Sequence, residues 1–194
     1  MKNKKIITMV AVVVMLISVV IIVAVTARHK HKEVILALSE DEKYHERICS
    51  YLEENVFSTW TVSSNDDRYA PVCEYIFLDA DNRHIYVFAG GADYGVNADG
   101  IVIRTTACML PVRLSYRYSN GNLYIEDFFY PSDGSDYSQD VKQGFSTKAR
   151  SKLSALTNDE RMSLEERAFC RACNMLNVEY APGKYISGDD EKKY

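Results

Sequence analysis

Residues 111–130 read PVRLSYRYSNGNLYIEDFFY. Val112, Leu114, Tyr116 and Tyr118 alternate with Arg113, Ser115, Arg117 and Ser119, the period of a half-buried strand. Asn120 and Gly121 follow, a pair suited to a two-residue type I′ turn because both positions need positive φ. If Ser119 faces Asn122, Tyr118 pairs with Leu123, Tyr116 with Ile125, Leu114 with Asp127 and Val112 with Phe129. One face of the hairpin is then apolar except for Asp127. On the other, Ser115 opposes Glu126 with Arg113 and Arg117 diagonal to it, so the charges complement. The stretch predicts antiparallel sheet.

Working outward, residues 72–78 (VCEYIFL) and 84–89 (HIYVFA) have strand character and flank a turn composition at 79–83. Residues 90–100 (GGADYGVNADG) read as a glycine- and Asp-rich loop, and 101–107 resume strand character. Upstream, SEDE at 39–42 is a capping-box pattern, and Tyr44, Ile48, Leu52 and Val56 recur every four residues behind it, an amphipathic helix. Downstream, residues 132–135 lead into a short helix stopped by Gly144. Ser146 can cap a helix over 148–156, and SLEE at 163–166 is a second capping box opening a helix to about Leu176. The expected fold is α+β: a helix, a meander sheet of about five antiparallel strands covered on one side, then helices. A cystatin-like or NTF2-like arrangement fits that order.

Residues 6–27 (IITMVAVVVMLISVVIIVAVTA) carry no charge. At about 1.5 Å per residue, such a helix spans a hydrocarbon core of roughly 30 Å. A cleaved signal peptide is the alternative, but its apolar region is shorter, about 7–15 residues. The expected organisation is a cytoplasmic tail 1–5, a single-pass signal-anchor 6–27, a juxtamembrane linker 28–38, an extracytoplasmic domain 39–186 and a polar tail 187–194. Three Lys/Arg flank the span on each side, and the α-amino group tips the balance to a cytoplasmic N-terminus.

Removing residues 1–27 takes away three lysines and no acid, leaving 20 basic and 27 acidic residues and a net charge of −7. Nucleic acid is a poor partner for that surface. The five cysteines are odd in number, and Cys170 and Cys173 fall inside a helical pattern, so no structural disulfide is expected.

Residues 94–100, 110–112, 120–127, 130–135, Asp140, Val141 and Phe145 together resemble a small extracytoplasmic domain of Gram-positive bacteria, often appended to antirepressor-type membrane zinc peptidases. Tyr137 matches the tyrosine of that family's P-x-D-G-S-x-Y segment. Ser146 departs from it, standing where a proline usually follows the phenylalanine. The resemblance covers roughly residues 85–176 and implies a location outside the cytoplasm. The peptidase part, with its H-E-x-x-H helix, has no counterpart here, so no peptidase activity is implied.

The four histidines, His29, His31, His45 and His84, show no metal-ligand spacing, and no cofactor motif stands out. Asp79, Asp81 and His84 read as a turn rather than an acid–base site. Asp93, Asn97 and Asp99 read as a solvated loop rather than a calcium set, since the EF-hand spacing is missing. Asp127 is either a buried carboxylate with a raised pKa, able to act as an acid or hold a ligand, or an Asp bonded to backbone amides of the 131–135 turn. Candidate contacts for a ligand or partner are Tyr94, Asp127, Tyr130, Asp133 and Tyr137. The reading leans to a non-catalytic, membrane-anchored domain that binds a protein partner or envelope ligand, as a sensor or modulator. The alternative is an NTF2-like pocket enzyme using Asp127.

Overall fold

The computed structural model describes residues 2–59, 69–180, 186 and 187, and the side chains of 15–23, 25, 26, 32–58 and 69–180. It divides into two units, Met1–Asp41 and Glu42–Tyr194. The first is one continuous helix, α1, Lys2–Glu40. Every side chain from residue 15 to 23 is exposed, Leu16 and Ile22 by 62% and 63%. Among the described residues no helix is long and apolar enough to cross a membrane, but the expected span 6–27 lies in large part outside the described side chains. Helix α1 runs through the expected linker 28–38 and past Ser39. That hydroxyl donates to the Leu36 carbonyl at 2.8 Å and so lies within a helix rather than starting one.

The second unit is α+β. Helix α2 (Glu42–Asn55) buries Tyr44, Ile48, Cys49 and Leu52, the face its four-residue spacing predicts. Four antiparallel strands follow, β1 (Tyr69–Ala80), β2 (His84–Val96), β3 (Val102–Ser119) and β4 (Asn122–Phe129), paired in that order. A two-residue β5 (Ile186–Ser187) pairs parallel to β3. Then come α3 (Tyr137–Gly144), α4 (Thr147–Ala155) and α5 (Asn158–Leu176). Ser146 caps α4 as expected, accepting from the Ala149 amide at 3.0 Å. The capping box of α5 is Thr157 with Glu160, one and a half turns before SLEE, because Asn158–Met162 join the same helix. Ser163 instead accepts from Arg167 within it.

Strand β2 is buried at every residue from Ile85 to Gly95, the mark of a strand covered on both faces. The sheet is not covered on one side only. On one face Leu78, Tyr86 and Phe88 pack with Phe145, Ala149, Leu153 and Leu164 of the α4–α5 region. On the other, α2 sends Tyr51 against Phe128, which is paired through Leu114 to Ile85. The expected loop at 90–100 is strand as far as Val96. Its glycines serve close approach: a Cβ on Gly91 would stand 2.7 Å from the Phe57 ring. Asn97 makes the turn that follows, accepting from the Asp99 and Ile101 amides.

The hairpin turn forms as read, with Asn120 at φ 52° and Gly121 at φ 75°. Its register holds as far as Tyr116 and Ile125, then shifts. Ser115 pairs with Asp127 and Leu114 with Phe128. A bulge at Glu126 thus turns Asp127 outward, where it is exposed, and turns Phe128 toward α2. The apolar demand of two adjacent phenylalanines explains it. Phe128 meets Tyr51 on one face, while Phe129 meets Phe145 and the Arg113 guanidinium on the other.

Candidate functional site

Strand β1 pairs with β2 on one side only, among the described residues. Its free edge would present bare amides and carbonyls. Side chains from α2 and α5 meet them. The Cys73 amide donates to Glu53 Oε1 at 3.0 Å, and the Tyr75 carbonyl accepts from Arg167 Nη2 at 3.2 Å. Arg171, with 15% of its side chain exposed, spans Glu53 at 3.3 Å and Glu46 at 2.5 Å. Burial raises the Glu53 carboxyl, against the opposing pull of the Cys73 amide and Arg171. The hydrogen bond from Arg171 holds Glu46 low.

On this sewn edge sit His45, Cys49 and Glu74. His45 and Cys49 lie one turn apart on α2, so their side chains share a face. Glu74 comes from β1. His45 Nε2 is 3.6 Å from Cys49 Sγ and 3.2 and 3.1 Å from the two Glu74 oxygens. The His45 ring stacks on Tyr75, centroids 4.7 Å apart, which fixes its direction. Arg167 Nε stands 3.8 Å from the Glu74 carboxylate. The hydrogen bonds to Cys49 and then Glu74, against burial, raise His45 to about 10. Cys49 is lowered, first by the neighbouring Cys73 thiol, against burial, and then by His45. Burial pushes Cys73 well up, and its Sγ lies 3.5 Å from the Cys49 carbonyl oxygen. All five cysteines are thiols.

Chemically this is a concentrated group of two anion-forming ligands and an imidazole. It is a poor nucleophilic relay. In such a relay the thiol and the carboxylate use different ring nitrogens; here both reach Nε2. Cys49 is also 0% exposed, so a substrate carbonyl has no path to its sulfur. Three donors converging near one point suit a shared guest.

The candidates read from sequence lie elsewhere. Tyr94 is enclosed in the core against Phe169. Asp127 is exposed on β4, which removes the buried carboxylate on which the pocket-enzyme reading stood. The amide of Ser132 is held by Asp140, at 2.9 Å, not by Asp127. Tyr130 is half-buried and stacks on Phe128, while Asp133 and Tyr137 are exposed around the turn into α3. These residues do not assemble into one site. Asp81 does serve its turn, accepting from the Arg83 and His84 amides and from Tyr86 Oη. Asp79 accepts from Ser146 and Lys148. A crevice of about 170 Å³ lies beside Tyr94, smaller than ordinary ligand pockets of about 300–1,000 Å³, and its ionic groups Arg104 and Glu165 already pair at 2.6 Å.

The one local signal for the β1-edge group was His45-x-x-x-Cys49, a four-residue helical spacing that two ligands of one guest require. Histidine spacing alone does not show it, because the residue one turn from His45 is a cysteine. Glu74, 29 residues on, had no local signal. No family model, curated protein or solved structure matches the chain.

Proposed function

We propose that the chain is a single-pass membrane protein whose domain lies outside the cytoplasm and acts as a non-catalytic binding module, a sensor or modulator of a protein partner or envelope ligand. The His45–Cys49–Glu74 group is its binding centre. The observation that carries this is the shared nitrogen: sulfur and carboxylate both approach Nε2, an arrangement that favours holding a guest over relaying a proton. The charge-free run 6–27 and the exposed apolar side chains from Met15 to Val25 support the anchor. The resemblance of residues 85–176 to the extracytoplasmic domain of Gram-positive bacteria points the same way. A helix before an antiparallel meander also keeps the cystatin-like or NTF2-like likeness.

Two measurements test it. Protease added to wall-stripped cells should degrade the domain, and full protection would reverse the topology. Crosslinking in intact cells should give a species that His45→Ala loses, since the His45 ring is the part of the group that reaches solvent. Turnover of an acyl substrate by the purified chain, abolished by Cys49→Ser, would instead make the group catalytic.

A further inference from the structure

We propose that His45, Cys49 and Glu74 bind one thiophilic divalent metal ion of the zinc class. The inference rests on the reading of this group as a binding centre and names its guest. At zinc-type bond lengths, about 2.0–2.1 Å to nitrogen and about 2.3 Å to sulfur, two ligands at a tetrahedral angle stand about 3.6 Å apart. Nitrogen and oxygen ligands stand about 3.4 Å apart by the same geometry. The structure has 3.6 Å between Nε2 and Sγ and 3.1–3.2 Å between Nε2 and the carboxylate. All three ligand atoms lie within 4.8 Å of one another.

Hydrogen bonding accounts less well for this convergence. One ring nitrogen carries one proton or one lone pair, yet a thiol and a carboxylate both address it. A cation among the three replaces that single proton and satisfies all of them. Charge also balances, since a thiolate and a carboxylate neutralise a divalent ion beside a neutral imidazole; the thiol proton leaves on binding. Thiolate with imidazole selects a zinc-class ion over magnesium or calcium, which take oxygen ligands. The Tyr75 stack holds the imidazole in place, and the half-buried ring, 32% exposed, leaves a solvent side for a fourth ligand such as water. Cys170 and Cys173 belong to a different place: Cys173 is in the core with Phe169.

The test uses the full-length chain in detergent, reduced and stripped of metal, then given Co²⁺ and afterwards Zn²⁺. One Co²⁺ per chain is expected, with tetrahedral ligand-field absorption and a thiolate-to-cobalt charge-transfer band that Zn²⁺ abolishes. Cys49→Ser should remove that band. His45→Ala and Glu74→Gln should each weaken binding by about tenfold or more, and the Cys170→Ser/Cys173→Ser double variant should bind as the parent does. Because a variant can fail by unfolding, X-ray absorption of the zinc-loaded parent provides a second readout, with one sulfur at about 2.3 Å and nitrogen or oxygen otherwise. No sulfur, or two or more, overturns the site, as does binding that survives Cys49→Ser. A Cys49–Cys73 disulfide in chain taken directly from cells would also overturn it. If the parent binds no cobalt but the His45-dependent crosslink persists, the metal is wrong and the binding centre stands. If both fail, both readings fall.

Discussion

The β3–β4 hairpin and the free edge of β1 use the same kinds of residue to opposite ends. In the hairpin, Arg117 meets Glu126 nine residues away, and both are more than half exposed. At the edge, Arg171 meets Glu53 and Glu46 from 118 and 125 residues away, with Glu53 nearly closed from solvent. The first contact decorates a strand pair that turn chemistry has already made. The second ties three elements together and occupies an amide the sheet leaves open. Exposed ion pairs contribute about 0–1 kcal/mol, whereas a buried charge stripped of its partner is strongly destabilising. The same pairing chemistry is therefore ornament in one region and structure in the other.

The largest expected effect tests that contrast. Arg171→Met should lower the stability of the protein by about 3–5 kcal/mol, because Glu53 is left as a buried charge without its ionic partner, held by the Cys73 amide alone. Glu126→Gln in the hairpin should change it by less than about 0.5 kcal/mol. Chemical denaturation of the two variants side by side gives the comparison. An Arg171→Met loss below about 1 kcal/mol would make the edge no different from the hairpin.

Gly91→Ala comes next. The added Cβ would meet three atoms of the buried Phe57 ring at 2.7–2.8 Å, and Gly91 pairs with Cys73 in the sheet. Overpacking of this kind costs about 1–3 kcal/mol. The thermal midpoint should fall accordingly, and an unchanged midpoint would mean that Phe57 moves freely beside β1.

Much of the hairpin was legible because its determinants are adjacent. Alternation set the faces, and Asn120-Gly121 set the turn. The bulge was not legible, since it depends on Phe128 and Phe129 each finding a partner from another element, Tyr51 and Phe145. Of the β1 edge, only the helical spacing of His45 and Cys49 lay within one local window. Glu74, Glu53 and Arg171 reach it through the packing of α2 and α5 around a strand end. The same reason misplaced the glycines of 90–91: composition reads as loop, and only the helices and ring on either face show that a strand needed room. Local turn acids fared better, as Asp81 shows.

Asp81 offers a smaller effect with a defined pH signature. Burial alone would raise its carboxyl, but hydrogen bonds from the Arg83 amide, Tyr86 and His84 outweigh that and hold it below its ordinary 3.8. A carboxyl depressed in the folded state contributes stability that is complete above its unfolded pKa and lost as pH falls through the folded one. Asp81→Asn should therefore be less stable than the parent at neutral pH, by about 1 kcal/mol or less because nearly half of the side chain is exposed to screening solvent. The gap in thermal midpoint should close as pH drops below about 3.8. A gap that stays constant down to the acid end would mean that the charge plays no part in the turn.

The smallest expected effect concerns Asp127, and it decides the register of the hairpin. In an unbroken hairpin this carboxylate would face Leu114, buried among Val112, Ile125 and Phe129, where losing its charge-assisted bonds would cost about 1.5–3 kcal/mol. With the bulge at Glu126, Asp127 pairs with Ser115 and is exposed. Asp127→Asn should then shift stability by no more than about 0.5 kcal/mol. Phe128→Ala should be the costly neighbour, since Phe128 lies opposite Leu114 and against Tyr51. The two substitutions read in opposite directions for the two registers. A neutral Asp127→Asn with a destabilised Phe128→Ala requires the bulge, and the reverse ordering would restore the unbroken pairing and return a buried carboxylate to the face under α2.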